Sequence, residues 1–251
     1  MAALEWDKVG EHLYETGVDK GVLYVYDKTA NKYGTGVAWN GLTSVTETPS
    51  GAEETALWAD NIKYLSMRSV EEFGGTIEAY TYPDEWMECD GAASPVKGLT
   101  LGQQKRAMFG LCFRTKVGND VDGDDYGYKL HLIYGATASP SERQYQTIND
   151  SPEATTMSWE FTTQPVNVTG YKPVANITID TTKLDEQGKT YLEQLERQLY
   201  GSDSGGSGSG TEPTLPTPAD VLNLFKVSST SLIDGYGFGG SGRPVTSTPK
   251  E

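Results

Sequence analysis

The chain has 251 residues, enough for one large β domain or for one domain with an appendage. Its 29 glycines and 15 tyrosines favour turns and half-buried strands over a helical bundle. The net charge of −15 argues against tight nucleic-acid binding, because acidic surfaces repel phosphate. Apolar runs are short and the first eight residues lack a secretion signal, so we expect no membrane segment and a chain that stays in the cytoplasm where it is made.

Alternation of apolar and polar residues predicts strands over most of residues 1–200. The clearest is 126–134, in which alternate tyrosines and leucines share one face. A second strand, 107–115, groups Phe109, Leu111 and Phe113. The Gly, Asn and Asp residues of 116–125 predict the loop of a hairpin between them. Similar patterns predict further strands at 21–26, 35–39, 42–48, 75–82, 154–163 and 174–180.

Two segments have helical character. Residues 184–200 place five apolar side chains on one stripe, and Gly201 suits the C-terminal cap. A shorter helix is predicted at 83–89, where Pro83 suits a first turn.

The composition changes after Gly201 and divides the chain into three parts. Residues 1–201 form the main domain, 202–212 a Gly/Ser-rich linker, and 213–251 an extended C-terminal arm with one helical turn capped by Asp220. The arm has too few large apolar residues to fold alone, so we expect it to dock on a neighbouring subunit; projection into solvent is the alternative. The docking residues are predicted to be Leu215, Val221, Leu222, Leu224 and Phe225, with Leu232 and Ile233 beyond.

Residues with catalytic or ligand-binding potential are few. Neither His12 nor His131 has a partner at metal-ligand spacing, and both are predicted to be structural. Cys89 and Cys112 are predicted to be free and buried. The acidic loop 120–125 could hold a hard cation but lacks the EF-hand frame, which favours a solvated loop. We therefore predict no catalytic residue, cofactor or metal site, and a protein that is not an enzyme.

An ordered series of short motifs resembles one family. The motifs are Trp39-Asn40-Gly41-Leu42-Thr43, Pro49-Ser50-Gly51-Ala52-Glu53, Trp58-Ala59-Asp60-Asn61-Ile62-Lys63-Tyr64-Leu65, Glu78-Ala79-Tyr80-Thr81-Tyr82-Pro83-Asp84-Glu85, Cys89-Asp90-Gly91, Tyr126-Gly127-Tyr128-Lys129-Leu130-His131-Leu132 and Asn149-Asp150-Ser151-Pro152-Glu153-Ala154. Together they resemble the major tail tube proteins of siphophages and related prophages of Gram-positive hosts.

The resemblance implies a mainly β fold of two packed antiparallel sheets, as a sandwich or half barrel, with one flanking α-helix and an extended C-terminal arm. It implies six subunits per ring, joined into a barrel around a channel, and rings that stack into the virion tail tube. The implied partners are further copies of the chain, the tape measure, tail terminator and distal tail proteins, and phage DNA that passes without specific binding. The acidic balance is then expected to lie partly on the channel wall, where it keeps DNA from adhering.

Two other functions stay open at this point. The first is the tube of a contractile phage-tail-like particle, and the second is a sugar-binding β-sandwich with surface aromatics and an acidic loop.

For the tail tube, residues 47–60 are long for a β connection. We expect this loop, which contains Pro49, to reach the adjacent ring and dock Leu57 or Trp58 there. Trp39, Trp58, Tyr64, Tyr80 and Tyr82 suit an interface and a core equally.

Overall fold

The computed structural model describes residues 4–147, 150, 154–203 and 210–230, with side chains as far as 226. Within these residues the fold is mainly antiparallel β. The strands are β1 (Tyr14–Asp27), β2 (Lys32–Tyr33), β3 (Val37–Ala38), β4 (Leu42–Glu47), β5 (Ser50–Gly51), β6 (Glu54–Ala59), β7 (Ile62–Arg68), β8 (Glu71–Glu72), β9 (Gly74–Ala79), β10 (Ala93–Val96), β11 (Leu99–Leu101), β12 (Phe109–Asn119), β13 (Gly123–Ala138), β14 (Met157–Thr163) and β15 (Asn176–Asp180). The helices are α1 (Trp86–Cys89), α2 (Glu186–Tyr200) and α3 (Pro218–Thr230).

Nine of the strands form one large sheet in the order β2-β1-β12-β13-β14-β9-β4, with β15 paired to β13 and β3 paired to β1. Strand β13 changes partner along its length, from β15 at 129–133 to β14 at 136–138. Gly135 lies at the change with φ 63°, and a side chain there would collide with the Gln164 carbonyl. Glycine is therefore required where β13 bends from one partner to the other.

The sheet curls until its two edges meet at the corner between β3 and β4. The Trp39 amide donates to the Gly21 carbonyl of β1 at 2.8 Å, and the Tyr80 amide donates to the Gly41 carbonyl at 2.8 Å. These bonds connect the β1 side of the sheet to the β9 side through residues 39–41. The curled sheet confirms the predicted mainly β fold with packed antiparallel sheets.

The inside of the curled sheet is filled by aromatic side chains. The Trp86 ring lies 4.6 Å from Trp39, 4.9 Å from Phe109 and 5.4 Å from Trp159, centroid to centroid. Trp86 comes from α1, so this four-residue helix closes one mouth of the sheet. Aromatic side chains bury large apolar areas, and tilted contacts such as these add to the stability.

A second apolar cluster covers the outer face of the sheet, where α2 packs on β13. Leu130, Leu132 and Tyr134 face this cluster, whereas Ile133 faces the inside. The Tyr24 hydroxyl donates to the Leu199 carbonyl at 2.6 Å and fixes the end of α2.

Several sequence predictions are confirmed. The helix predicted at 184–200 is α2, capped by Asp185, which accepts from the Gly188 amide at 2.6 Å, and ended by Gly201 with φ 77°. The helix predicted at 83–89 is α1, which begins three residues later. The predicted hairpin is β12–β13, although its strands extend through most of the predicted loop 116–125.

The C-terminal arm differs from the prediction because it returns to its own subunit. Ser202 and Thr211 form a two-way backbone bridge at 3.0 Å, which brings the ends of the linker together. Beyond it the Thr214 amide donates to the Gln198 carbonyl, and Leu215 packs over Gly110, where β12 has no side chain. The two ends of the linker therefore lie side by side, so the linker does not separate the arm from the main domain.

The single predicted turn is a helix of 13 residues, α3. The Thr217 amide donates to Asp220 at 3.2 Å and the Asp220 amide donates to the Thr217 hydroxyl at 3.3 Å, a reciprocal cap for the first turn. Val221, Leu224 and Phe225 then share one stripe that packs on the second cluster. Leu232 and Ile233 lie outside the described residues.

The arm should therefore stabilise the subunit. Leu215→Ala removes a side chain that is buried over Gly110, and we expect the free energy of unfolding to fall by about 2–5 kcal/mol. Urea denaturation monitored by circular dichroism measures the change. Asn223→Ala, at an exposed position of α3, is the control and should change stability by less than about 0.5 kcal/mol. Equal midpoints for the wild type and Leu215→Ala would contradict a structural role for the arm.

Candidate assembly surface

A long hairpin extends from the main sheet between β4 and β9. It comprises residues 48–73, and β5 to β8 pair only among themselves within the described chain. Its tip is Asp60-Asn61, whose φ values of 50° and 61° suit the tight turn that matches strand twist. We call residues 48–73 the projecting hairpin. The prediction of a loop at 47–60 is therefore wrong, because most of this segment forms the first half of a hairpin.

One face of the projecting hairpin is apolar. Directly paired residues share a face, as do residues two apart along a regular strand. A register shift between Leu57 and Trp58 interrupts this period on β7, so that Ile62, and not Lys63, shares the face of Leu65. Leu57 lies opposite Leu65, and Ala59 lies opposite Ile62. Thr55 and Met67 extend the same face. Leu57, Ile62, Leu65 and Met67 are between 43% and 63% exposed, so the isolated subunit leaves a contiguous apolar strip in water.

The opposite face of the projecting hairpin carries the charges. The Lys63 ammonium lies 2.5 Å from the Glu54 carboxylate, and Arg68 lies 3.7 Å from it. The hydrogen bond from Lys63 lowers the pKa of Glu54. Trp58 lies opposite Lys63 on this face and is 69% exposed. The two faces thus differ in chemistry, although neither packs on the body of the subunit.

The structure places the sequence-predicted assembly residues on this hairpin and adds others. Leu57 and Trp58 are exposed on β6, and Pro49 is exposed between β4 and β5. Sequence analysis missed Ile62, Leu65 and Met67, since it predicted no strand at 62–68. The signal was the Asp60-Asn61 turn followed by an apolar-rich run, which is typical of a hairpin.

The five aromatic residues that were predicted to suit a core or an interface equally divide into buried and exposed ones. Trp39 is buried in the inner cluster, and Tyr82 packs against it from the side. Tyr64 and Tyr80 are exposed, as is Trp58.

A polar cluster lies where the projecting hairpin leaves the sheet. The His131 ring stacks on Phe113 at 4.6 Å, and its Nε2 lies 3.0 Å from the Thr115 hydroxyl. Two carboxylates flank the ring, with Glu47 3.6 Å from Nδ1 and Glu15 3.7 Å from Nε2.

Burial and hydrogen bonds together shift the pKa values of the ionisable groups in this cluster. Burial lowers the pKa of His131, which favours the neutral ring, and it raises the pKa of Glu47, assisted by repulsion from Glu15. Hydrogen bonds from Lys129 and Thr115 outweigh burial at Glu15 and lower its pKa. His131 is thus a packed and hydrogen-bonded side chain, and the Glu47 carboxylate lies beside it at the base of the projecting hairpin.

The predicted docking residues of the arm lie on their own subunit. Leu215 and Val221 are buried, and Leu224 and Phe225 pack against the same cluster. Leu222 and Phe225 line a small apolar groove of about 250 Å³ beside Ile177 and Ile179. Because these apolar surfaces already contact α2 and β15, the structure replaces the neighbour-docking expectation with docking inside one chain.

The other residues that could bind a ligand or react have structural roles. Asn119 accepts hydrogen bonds from the Val121 and Asp122 amides, and Asp120 accepts one from Gly10, so the acidic turn is held by local bonds. The two cysteines are free, and burial raises the pKa of each to about 12.

The described residues show neither a metal-binding cluster nor a membrane-spanning helix. They contain no group of three or more His, Cys, Asp or Glu side chains placed to hold a metal ion. No helix among them has the length and apolarity to cross a membrane.

Comparison with known proteins gives no family for the chain. No protein-family model matches the sequence, and no curated protein matches it. Function is therefore inferred from the surfaces described above and from the resemblance in sequence.

The Glu47 carboxylate should weaken the fold at neutral pH. A raised folded-state pKa contributes stability that is present in acid and lost as pH rises through that pKa. We therefore expect Glu47→Gln to be more stable than the wild type at pH 7, and the difference to shrink as the pH falls. Unfolding midpoints in urea across this range measure it. Glu53→Gln, at an exposed position on the projecting hairpin, is the control. A Glu47→Gln advantage that grows in acid would contradict the assignment.

Proposed function

We propose that the protein is the structural subunit of a phage tail tube, which self-assembles into stacked rings, hexameric by resemblance, around a channel for DNA. The observation that carries the proposal is the apolar strip of the projecting hairpin. An exposed contiguous apolar patch on a subunit marks an interaction surface. The ordered series of motifs supports the family, and the curled antiparallel sheet with a flanking helix is compatible with it.

The projecting hairpin is difficult to explain in a protein that works as a monomer. A two-stranded hairpin without a packing partner is marginally stable in water. Burying one Leu, Ile or Met side chain fully contributes about 1.5–3 kcal/mol, so four half-exposed ones offer several kcal/mol to a partner. The Glu54 contacts on the other face are exposed and contribute little, about 0–1 kcal/mol each. A partner that covers the apolar strip therefore supplies the missing stability.

The charge of the chain suits a channel for DNA. The subunit carries 35 acidic and 20 basic residues, and basic contacts are what hold phosphate backbones on a protein. A wall with an acidic balance lets DNA pass without adhering. The tube of a contractile particle needs the same self-assembly surface and is the closest alternative.

A sugar-binding module is the second candidate, and one groove favours it. The groove lies between the β12–β13 turn and α2 and is lined by Tyr126 and Tyr128 with Asp125 and Glu193. The Tyr128 hydroxyl already donates to Glu196, and the Thr181 hydroxyl already donates to the Tyr128 carbonyl. With these polar groups in use, the groove offers less for a sugar than the projecting hairpin offers for a second subunit.

Disrupting the apolar strip should block assembly and leave the fold intact. Leu65→Asp puts a charge in the middle of the strip, where Leu65 lies opposite Leu57. Purified wild-type protein should form long tubes or ring stacks in negative-stain electron microscopy. Leu65→Asp should abolish them, while its free energy of unfolding stays within about 0.5 kcal/mol of the wild type.

Ser66→Asp adds the same charge on the opposite face, beside Glu54, and is the matched control that should still assemble. Normal tubes from Leu65→Asp would remove the hairpin from the assembly mechanism. If the wild type itself stays small and binds a glycan array, the sugar-binding function replaces the tail tube.

Assembled tubes should not retain DNA. At about 0.15 M salt, where surface charges are screened beyond roughly 8 Å, we expect no retardation of duplex DNA in a mobility-shift assay. A retardation that weakens steeply with added salt would show basic contacts to phosphate and contradict the acidic channel.

A further inference from the structure

A second exposed hairpin also presents apolar side chains to water. Strands β10 and β11 form a two-stranded sheet of their own, residues 93–101, which we call the short hairpin. Leu99 and Leu101 share one face, and Val96 lies opposite Leu99. These three side chains are between 47% and 63% exposed.

The apolar face of the short hairpin points to solvent and not to the body of its own subunit. Thr100 lies between the two leucines and points the other way, with its hydroxyl 4.0 Å from the Met87 sulfur of α1. The polar residue thus faces the body of the subunit, and the leucines face solvent. A hairpin that serves only its own subunit follows the opposite pattern, with the apolar face towards the core.

The two hairpins lie at opposite ends of the curled sheet. The projecting hairpin leaves the end at which Glu47 of β4 pairs with Gly75 of β9. The other end of the same strand pair is Leu42 opposite Ala79, and α1 closes the sheet there. The short hairpin follows α1 directly and contacts it. One apolar hairpin therefore extends from each mouth.

The charges of the two hairpins are complementary. Residues 48–73 hold five acidic and two basic side chains. The short hairpin, residues 93–101, holds Lys97 and no acidic side chain, in a chain whose net charge is −15. An acidic element at one end and a basic element at the other attract each other when two copies stack in the same orientation.

We propose that the apolar strip of the projecting hairpin in one copy docks on the apolar face of the short hairpin in the next copy. This inference rests on the proposed function and names its contact surface. The contact is head-to-tail, since it joins two different surfaces of the same chain. Such an interface leaves a free donor and a free acceptor at the two ends of every stack, so it extends along an axis and does not close as a dimer.

Two single-cysteine variants test the pairing. Leu57→Cys marks the projecting hairpin and Leu99→Cys marks the short hairpin, with one of them carrying a size tag. The natural Cys89 and Cys112 are buried and need no replacement. The variants are mixed, assembled and treated with a short bismaleimide, and the tagged heterodimer is quantified on a denaturing gel. Ser66→Cys and Thr100→Cys, on the opposite faces of the two hairpins, form the matched control pair.

We expect several times more cross-linked dimer from the Leu57→Cys and Leu99→Cys mixture than from either variant alone or from the control pair. Dimers that form equally well from Leu57→Cys alone would show that projecting hairpins meet each other, which overturns the inference. Tubes that form normally without the mixed cross-link would also overturn it and leave the proposed function standing. An absence of tubes in the wild type would count against the proposed function itself, whatever the cross-links show.

Discussion

The closure of the sheet at residues 39–41 is the constraint on which the rest of the structure depends. Two backbone bonds at this corner hold the β1 side of the sheet to the β9 side, and the space inside is filled by Trp39, Trp86 and Trp159. Closure fixes β4 and β9 as an antiparallel pair in the wall. The chain leaves one end of that pair for the projecting hairpin and the other end for α1. The β4–β9 pairing therefore determines which end of the subunit carries each of these elements.

Strand β12 shows how one segment serves both clusters. Phe109, Leu111 and Phe113 face the aromatic interior, while Cys112 faces α2 on the outside. Gly110 also faces outward, and the gap it leaves is filled by Leu215 of the arm. The arm is thus part of the outer layer, and the main domain is complete only when residues 211–226 are included. The boundary at residue 201 marks a change in composition but not the edge of the folded unit.

The sequence predicted the elements whose apolar residues recur with a regular period and missed β7, whose period is interrupted. Strands β12 and β13 and helix α2 were predictable because their periodicity matches burial on the body of the subunit. Strand β7 was missed because a register shift puts Ile62 and Leu65 on one face three residues apart, which breaks the strand period of two.

The arm was misread for a different reason. An extended path was predicted for 213–251 apart from one helical turn, yet Pro218 begins the 13-residue helix α3, where a proline suits the first turn. Which surface the arm covers could not be predicted, since Leu215 and Gly110 are distant in sequence and meet only in the folded state. For the assembly surface, Leu57 and Trp58 were found from the length of the segment, but its apolar face requires the register of β6 on β7.

The body of the subunit and the two hairpins differ in how far they bury their apolar side chains. The body buries Trp39, Trp86, Trp159 and Phe109 almost completely, whereas both hairpins hold their apolar residues in water. Cooperative units with few buried contacts open at low free-energy cost, so we expect both hairpins to open more readily than the aromatic interior. In the proposed stack, their ordering and the burial of their apolar faces occur together when a second copy binds. Each added copy then loses conformational entropy at its own contact, which lowers the affinity of that contact.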